Sequence, residues 1–354
     1  MNDSEINDVR EQKDFKGISF SEFKKTDVKK ELIHSLLNAK IEPCCYWSAE
    51  LICAGHYLEL WDIIIHFYTK HIHIGNPKLA IYLDLRITNF KELINSGYLN
   101  QELRLRNHPK MRRLFCEIMC VLCEAKRRHS YDEIKIRKED FDMTHMTERF
   151  KAPAITYAEN IFKKDDPKEL FVAINELAYN ISIKNCLTAC YWLEWIMEFE
   201  NVCKAKKDRI FCERRAFADV DPKLQMDTIW IIWELLIEEA TNTSALLEKV
   251  MTSLLNLFCL KYTQGCTKKR KLTLYYGIAL LTENVSFAEE IVNDKEKIVI
   301  ITEKIDNIYK QIKKNEHSPG TDYLYTNTKA KNLEKTIEKL EKMNTFGAEY
   351  IPRL

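Results

Sequence analysis

From Phe20 onward, apolar side chains recur at helical spacing. Val28, Leu32, Leu36 and Leu37 share one face of a segment whose other face carries lysines, which predicts an amphipathic helix. Glu42-Pro43 opens the next one, because a proline in the first turn forfeits no hydrogen bond. Behind it, Cys44–Gly55 (CCYWSAELICAG) is apolar almost all round, so the helix should be buried. His56 to Ile72 reads as another helix, with Leu60, Ile64 and Phe67 on one face. Gly75-Asn76-Pro77 ends it and starts a helix from Lys78 to about Ile94. Gly97 follows, Asn100 caps a short helix, and Pro109 precedes a helix over about Lys110 to Arg128.

The pattern then changes. Residues 131–168 are charged and poorly periodic, as in Lys135–Asp142 (KIRKEDFD). They predict an ordered but irregular connector, lying on the surface or carrying a short helix, since a structureless loop of that length is unusual in a compact domain. Helical periodicity returns at about 167–180, 184–206, 223–241, 243–263 and 268–284, with Asn185 and Thr243 as caps. A charged helix over about 286–314 is broken by Ser318–Asp322. A final helix, about Thr326 to Met343, carries Leu333, Ile337, Leu340 and Met343 as a stripe. The last two helices should form an antiparallel hairpin.

These elements predict an all-α protein, a large multi-helix array. The expected organisation is a disordered arm over 1–20, an N-terminal helical half over 21–130, the connector over 131–168, a C-terminal helical half over 169–290, and a charged hairpin and tail over 291–354. Ile41–Cys44 and Ile183–Cys186 each open a buried helix, and Cys45-Tyr-Trp47 recurs as Cys190-Tyr-Trp192. One reading is two similar helical halves; the other is two buried helices that chose similar residues. Composition agrees with the fold class. Only 8 glycines and 8 prolines occur in 354 residues, which leaves few tight turns for a β fold.

Charge and cysteine usage narrow the function classes. The formal net charge is +1, so no global field draws in nucleic acid or anionic lipid. The longest apolar stretch, Leu272–Leu281, is about half of the 20 or so residues a membrane span needs, and no span is expected. The first thirty residues lack the apolar run of a secretory leader. The 12 cysteines are therefore expected as reduced thiols in a reducing compartment.

Several clusters suggest chemistry. In Phe115–Glu124 (FCEIMCVLCE), Cys116, Cys120 and Cys123 have the spacing of an iron–sulfur ligand run, but i, i+4, i+7 is also one stripe of a helix. With no glycine or proline to wrap a loop around a cluster, the stripe is expected to be buried and unliganded. His56, His66, His71 and His73 crowd near Cys44, Cys45 and Cys53 without the paired spacing of a zinc site. Trp47, Trp61, Trp192, Trp195, Trp230 and Trp233 are expected in the core, with Glu194, Glu198 and Glu234 as indole acceptors. Basic pairs and runs put Arg112, Arg113, Arg127, Arg128, Arg214, Arg215, Lys268, Lys269, Arg270 and Lys271 forward as candidate phosphate contacts. No phosphate loop, nucleophile elbow or zincin motif occurs, so no catalytic, cofactor-binding or metal residue is assigned.

The segments Glu42–Glu50, Ile74–Lys78, Lys164–Leu170, Cys190–Trp192, Cys212–Arg215 and Lys268–Arg270 resemble a conserved protein family of nucleocytoplasmic large DNA viruses, mimivirus-like giant viruses among them. The resemblance implies a viral protein of the host cytoplasm, in the viral factory or the virion, and brings no catalytic residues with it. The function expected is a non-enzymatic protein–protein scaffold or structural component with viral protein partners. The alternatives are a nucleic-acid-associated factor in viral transcription, replication or packaging, and an enzyme with an unfamiliar helical active site.

Overall fold

A computed structural model describes residues 3–98, 101–292, 294–317 and 334–341. Its α-helices in chain order are α1 (Lys25–Leu37), α2 (Ile41–Cys53), α3 (Tyr57–Phe67), α4 (Leu79–Asn95), α5 (Pro109–Glu124), α6 (Met143–Arg149), α7 (Phe171–Ser182), α8 (Cys186–Ala205), α9 (Ile229–Thr243), α10 (Ala245–Cys259), α11 (Gln264–Lys269), α12 (Lys271–Thr282), α13 (Lys295–Glu303) and α14 (Asp306–Lys313). A further helical stretch covers 334–341, and no β-strand occurs among the described residues. The protein is all-α. The rest of the expected final helix and hairpin lies outside the described residues.

The chain folds as two compact units, and these are not consecutive halves. Unit 1 takes Met1–Ile64, Arg86–Ala125 and Val292–Leu354; unit 2 takes Ile65–Leu85 and Lys126–Ile291. The expected boundary at 131–168 was drawn from a loss of periodicity. The crossings fall inside α3 and α4, at the end of α5 and ahead of α13; inside a continuous helix local periodicity has no signal to give.

In unit 1, α2 packs on α1, α5 and α14, and α13 packs on α5. Ten consecutive residues of α2, Cys44 to Cys53, are buried, as expected for a helix that is apolar all round. The helix ends at Gly55, whose φ of 76° is the left-handed cap that glycine adopts at least cost. Trp61 of α3, Phe90 of α4 and Phe115 of α5 meet with ring centroids 5.5–5.9 Å apart.

The expected disordered arm is ordered from residue 3. Phe15 and Phe20 are fully buried and stack at 6.0 Å, and the Arg10 guanidinium lies 4.8 and 4.7 Å from their centroids. The His56 Nε2 donor reaches the Phe15 and Ile18 carbonyls at 3.0 and 2.7 Å. The buried Glu50 carboxylate accepts from the Ser19 hydroxyl at 2.8 Å, the Ser21 N–H at 2.9 Å and the Ser21 hydroxyl. The arm is held by a few large anchors rather than by a periodic face, so a periodicity argument reads it as unstructured.

In unit 2, α7 packs on α8, α9 on α10, and α12 on α7, α8, α9 and α10. Asn185 caps α8 as expected, accepting from the Thr188 N–H at 3.2 Å. Ser244, and not Thr243, caps α10. The expected helix over 268–284 breaks into α11 and α12 at Arg270, which turns inward to donate to the Phe258 and Leu260 carbonyls, both at 2.7 Å. The helix over 286–314 is likewise shorter and split, as α13 and α14. The connector is ordered. It carries a 3-10 turn (Lys138–Phe141) and α6, and its backbone N–H groups are taken up by α7. The Glu176 carboxylate accepts from Lys151 and Ala152, and Asn175 Oδ1 accepts from Tyr157.

Candidate functional site

Unit 2 contains a cavity of about 360 Å³ lined by Ile74, Tyr131, Ile134, Leu187, Tyr275 and, among its chemically active groups, His73, Cys186, Cys190 and Glu283. Two elements set its character. Cys186 is the first residue of α8 and Cys190 lies one turn further on, so both sulfurs face one side of the helix. A Cys190 S–H bond to the Cys186 sulfur lowers the Cys186 pKa; burial opposes this and a bond from Thr282 assists it. The same bond, with burial, drives Cys190 upward. The helix N-terminus favours the Cys186 thiolate in the same sense.

The other element is His73, held at φ 31°, in the sparsely occupied region for a non-glycine residue. Its Nε2–H donates to the His129 carbonyl at 2.8 Å. That bond fixes the tautomer and leaves Nδ1 as an acceptor, buried and with no hydrogen-bond partner. Burial holds its pKa below the ordinary histidine value. The ring lies 4.5 Å from that of Tyr131, centroid to centroid. The turn into α8 exposes two large apolar side chains among polar ones: Leu187 is 63% exposed and Ile183, four residues earlier, 49%, beside exposed Ser182, Lys184 and Asn185.

The cysteine stripe of α5 is buried as expected, but it does not act as one row. Cys123 turns to Cys44, Sγ to Sγ 3.5 Å. Cys116 and Cys120 are joined by Cys45 of α2. The three sulfurs lie within 4.8 Å of one another, with Cys45 and Cys116 at 3.7 Å. Cys116 and Cys45 thiols bonded to the Cys120 sulfur hold the Cys120 pKa well below the ordinary thiol range, against burial, and Lys297 adds a positive field. The proton is correspondingly harder to remove from Cys45 and Cys116. No disulfide occurs among the described residues. The histidines near Cys44, Cys45 and Cys53 do not assemble a metal-ligand set there among the described residues.

Three of the ten candidate phosphate contacts, Arg112, Arg215 and Arg270, are buried. Arg112 is buried, with its guanidinium 4.0 Å from the Tyr309 centroid and bonded to Asp306, Ser4 and the Arg106 carbonyl. Arg215 is fully buried against Asp166 and Glu234, and Arg270 closes the end of α10. Arg127 stands 5.2 Å over Phe67, Arg214 donates to Gln225, and Lys271 pairs with Glu194. Arg113, Arg128, Arg214, Lys268 and Lys269 are exposed; Arg113 belongs to unit 1 and the other four to unit 2.

All six tryptophans are buried. Two of the six indole N–H groups donate to backbone carbonyls and not to glutamates: Trp195 to Asp140 O at 2.9 Å and Trp230 to Leu224 O at 2.6 Å. The cavity has no signal in the sequence, where Cys186 and Cys190 stand out only as repeat residues and His73 only as one of four histidines without zinc-site spacing. No helix among the described residues is long and apolar enough to cross a membrane. No protein-family model, curated protein or solved structure matches the chain.

Proposed function

We propose that the protein works by binding another protein, as a non-enzymatic helical scaffold that makes contact where α7 turns into α8. The observation that carries this reading is the pair Ile183 and Leu187, 49% and 63% exposed, with Leu187 on the rim of a cavity walled by Ile74, Tyr131, Ile134 and Tyr275. A lone exposed leucine needs no explanation. An exposed leucine on the rim of a preformed cavity, with a second exposed aliphatic side chain in the turn just before its helix, fits the anchor-and-pocket form of protein recognition. The resemblance to proteins of nucleocytoplasmic large DNA viruses makes the partner another viral protein, of the particle or of the viral factory.

The test is affinity purification from infected cells with mass spectrometry, comparing wild type with Leu187→Asp. Wild type should recover a stoichiometric viral partner, and the variant should lose it while keeping its helicity. Equal recovery by both, or wild type purifying alone, would overturn the reading. A nucleic-acid role is weakened by the inward use of Arg112, Arg215 and Arg270.

One observation favours a second reading, an enzyme with a helical active site. Cys186 and the partnerless Nδ1 of His73 line the same cavity, which are the residue types of a thiol nucleophile and its base. Selective alkylation of Cys186 in the folded protein is the first requirement of that reading.

A further inference from the structure

The sulfurs of Cys45, Cys116 and Cys120 converge from two helices into one buried set, and from this geometry we infer a binding site for a single copper(I) ion in unit 1. A straight helix presents two ligands on one face readily, at i and i+4, and a third less so. Here α5 supplies Cys116 and Cys120, one turn apart, and α2 supplies Cys45 between them, all three sulfurs within 4.8 Å of one another. A metal–sulfur bond of about 2.3 Å puts the sulfurs of a trigonal set about 4.0 Å apart. The Cys45–Cys116 distance of 3.7 Å needs only a small adjustment to reach it.

The donor set selects the ion. Three thiols and no oxygen or nitrogen donor form a soft site, which favours copper(I). Zinc in a structural site takes four ligands. Among the described residues no fourth histidine, cysteine, aspartate or glutamate atom joins the three, and Cys45, Cys116 and Cys120 are at most 1% exposed, which leaves little room for water as a fourth ligand. Loading the ion displaces the thiol protons of Cys45, Cys116 and Cys120. The resulting charge is held beside Lys297 of α13, whose field acts on Cys120 and which also pairs with Glu124 at 2.6 Å.

The assignment differs from the motif reading of Cys116, Cys120 and Cys123 in one respect that an experiment can see: Cys45 is a ligand and Cys123 is not. The full chain, reduced and kept anoxic, is titrated with copper(I) in competition with bathocuproine disulfonate. Wild type should withdraw one ion per chain and gain thiolate-to-copper absorption in the near ultraviolet. Cys45→Ser, Cys116→Ser and Cys120→Ser should each bind more than ~100-fold more weakly, beyond the cost of a lost outer-shell contact. Cys123→Ser and Cys44→Ser, equally buried changes, should bind as wild type does and serve as folding controls.

If the ligand variants do not fold, copper-edge X-ray absorption on loaded wild type still decides the matter, by counting three sulfurs at about 2.3 Å. Wild type that surrenders all its copper to the chelator, a Cys123→Ser variant as impaired as Cys116→Ser, or retention of zinc in preference to copper(I) would each overturn the assignment.

Discussion

Replacing Arg215 by methionine should destabilise unit 2 severely and leave nucleic-acid affinity unchanged. All five guanidinium N–H groups have acceptors. Nη1 and Nη2 fork onto Asp166 at 3.0 and 2.6 Å, Nε donates to Glu234, and the remaining two donate to the Glu213 and Ile161 carbonyls at 2.8 and 3.1 Å. Burial disfavours the charge, but the bond and field from Asp166 and the field of Glu234 outweigh it, and the pKa of Arg215 is raised. Asp166 is as fully buried as its partner and also accepts from the Lys163 and Glu213 N–H groups at 2.8 Å, so the pair clamps two loops to α9. Removing the cation leaves a buried carboxylate uncompensated, at a cost of about 3–5 kcal/mol. For a unit of this size that corresponds to a fall in Tm of roughly 6–20 °C. The assay is thermal unfolding followed by far-ultraviolet circular dichroism, beside DNA binding over a salt series. Arg215→Met/Asp166→Asn should recover much of the loss, because replacing a buried pair costs less than orphaning one member. A single variant that melts within about 2 °C of wild type but loses DNA affinity would refute the reasoning and return Arg215 to the surface.

Two further outcomes concern Glu50 and Cys186. Glu50→Ala leaves the Ser21 N–H and the Ser19 and Ser21 hydroxyls without their acceptor, at about 1–3 kcal/mol for each group left unpaired. Tryptic cleavage at Lys13 or Lys16 should accelerate by at least about 5-fold while the helices of unit 1 persist; an unchanged cleavage rate would mean that the arm is held by Phe15 and Phe20 alone. Cys186 has its pKa lowered first by the bond from Cys190, so its thiolate should persist to lower pH than an ordinary thiol. The iodoacetamide rate should then rise with a midpoint below the usual value of about 8.5, and Cys190→Ala should move that midpoint up. A midpoint at or above the usual value would remove the basis for chemistry in the cavity.

The helices were legible in the sequence because period and punctuation agree. The apolar run of α2, the proline opening α5 and the Asn185 cap of α8 are local signals, read correctly from local spacing. The failures are where the deciding contact is distant in sequence. Arg214 and Arg215 look alike as a basic pair, yet one is exposed and the other is the most fully bonded cation in unit 2, because Asp166 and Glu234 lie 49 and 19 residues away. The arm fails for the same reason: the partners of residues 6 to 21 include Glu50, His56, Arg106, Asn107 and Asn315, and none of them leaves a trace in the arm's own pattern.

The cysteines join the two cases. Burial of Cys116, Cys120 and Cys123 follows from a stripe that only a core can accept, and it needs no knowledge of the neighbour. Which sulfurs meet depends on how α2 crosses α5. Two sulfurs one turn apart leave a gap on the face of α5, and the side chain that enters it must come from another helix. Cys45 enters that gap, while the adjacent Cys44, rotated about 100° around α2, meets Cys123 instead. A Cys-x3-Cys-x2-Cys spacing thus divides into a set of three and a separate pair, by helical geometry alone. A helical triad of this kind is therefore better read as an i, i+4 pair awaiting a third donor from the facing helix, and Cys123→Ser is the variant that separates that reading from the linear motif.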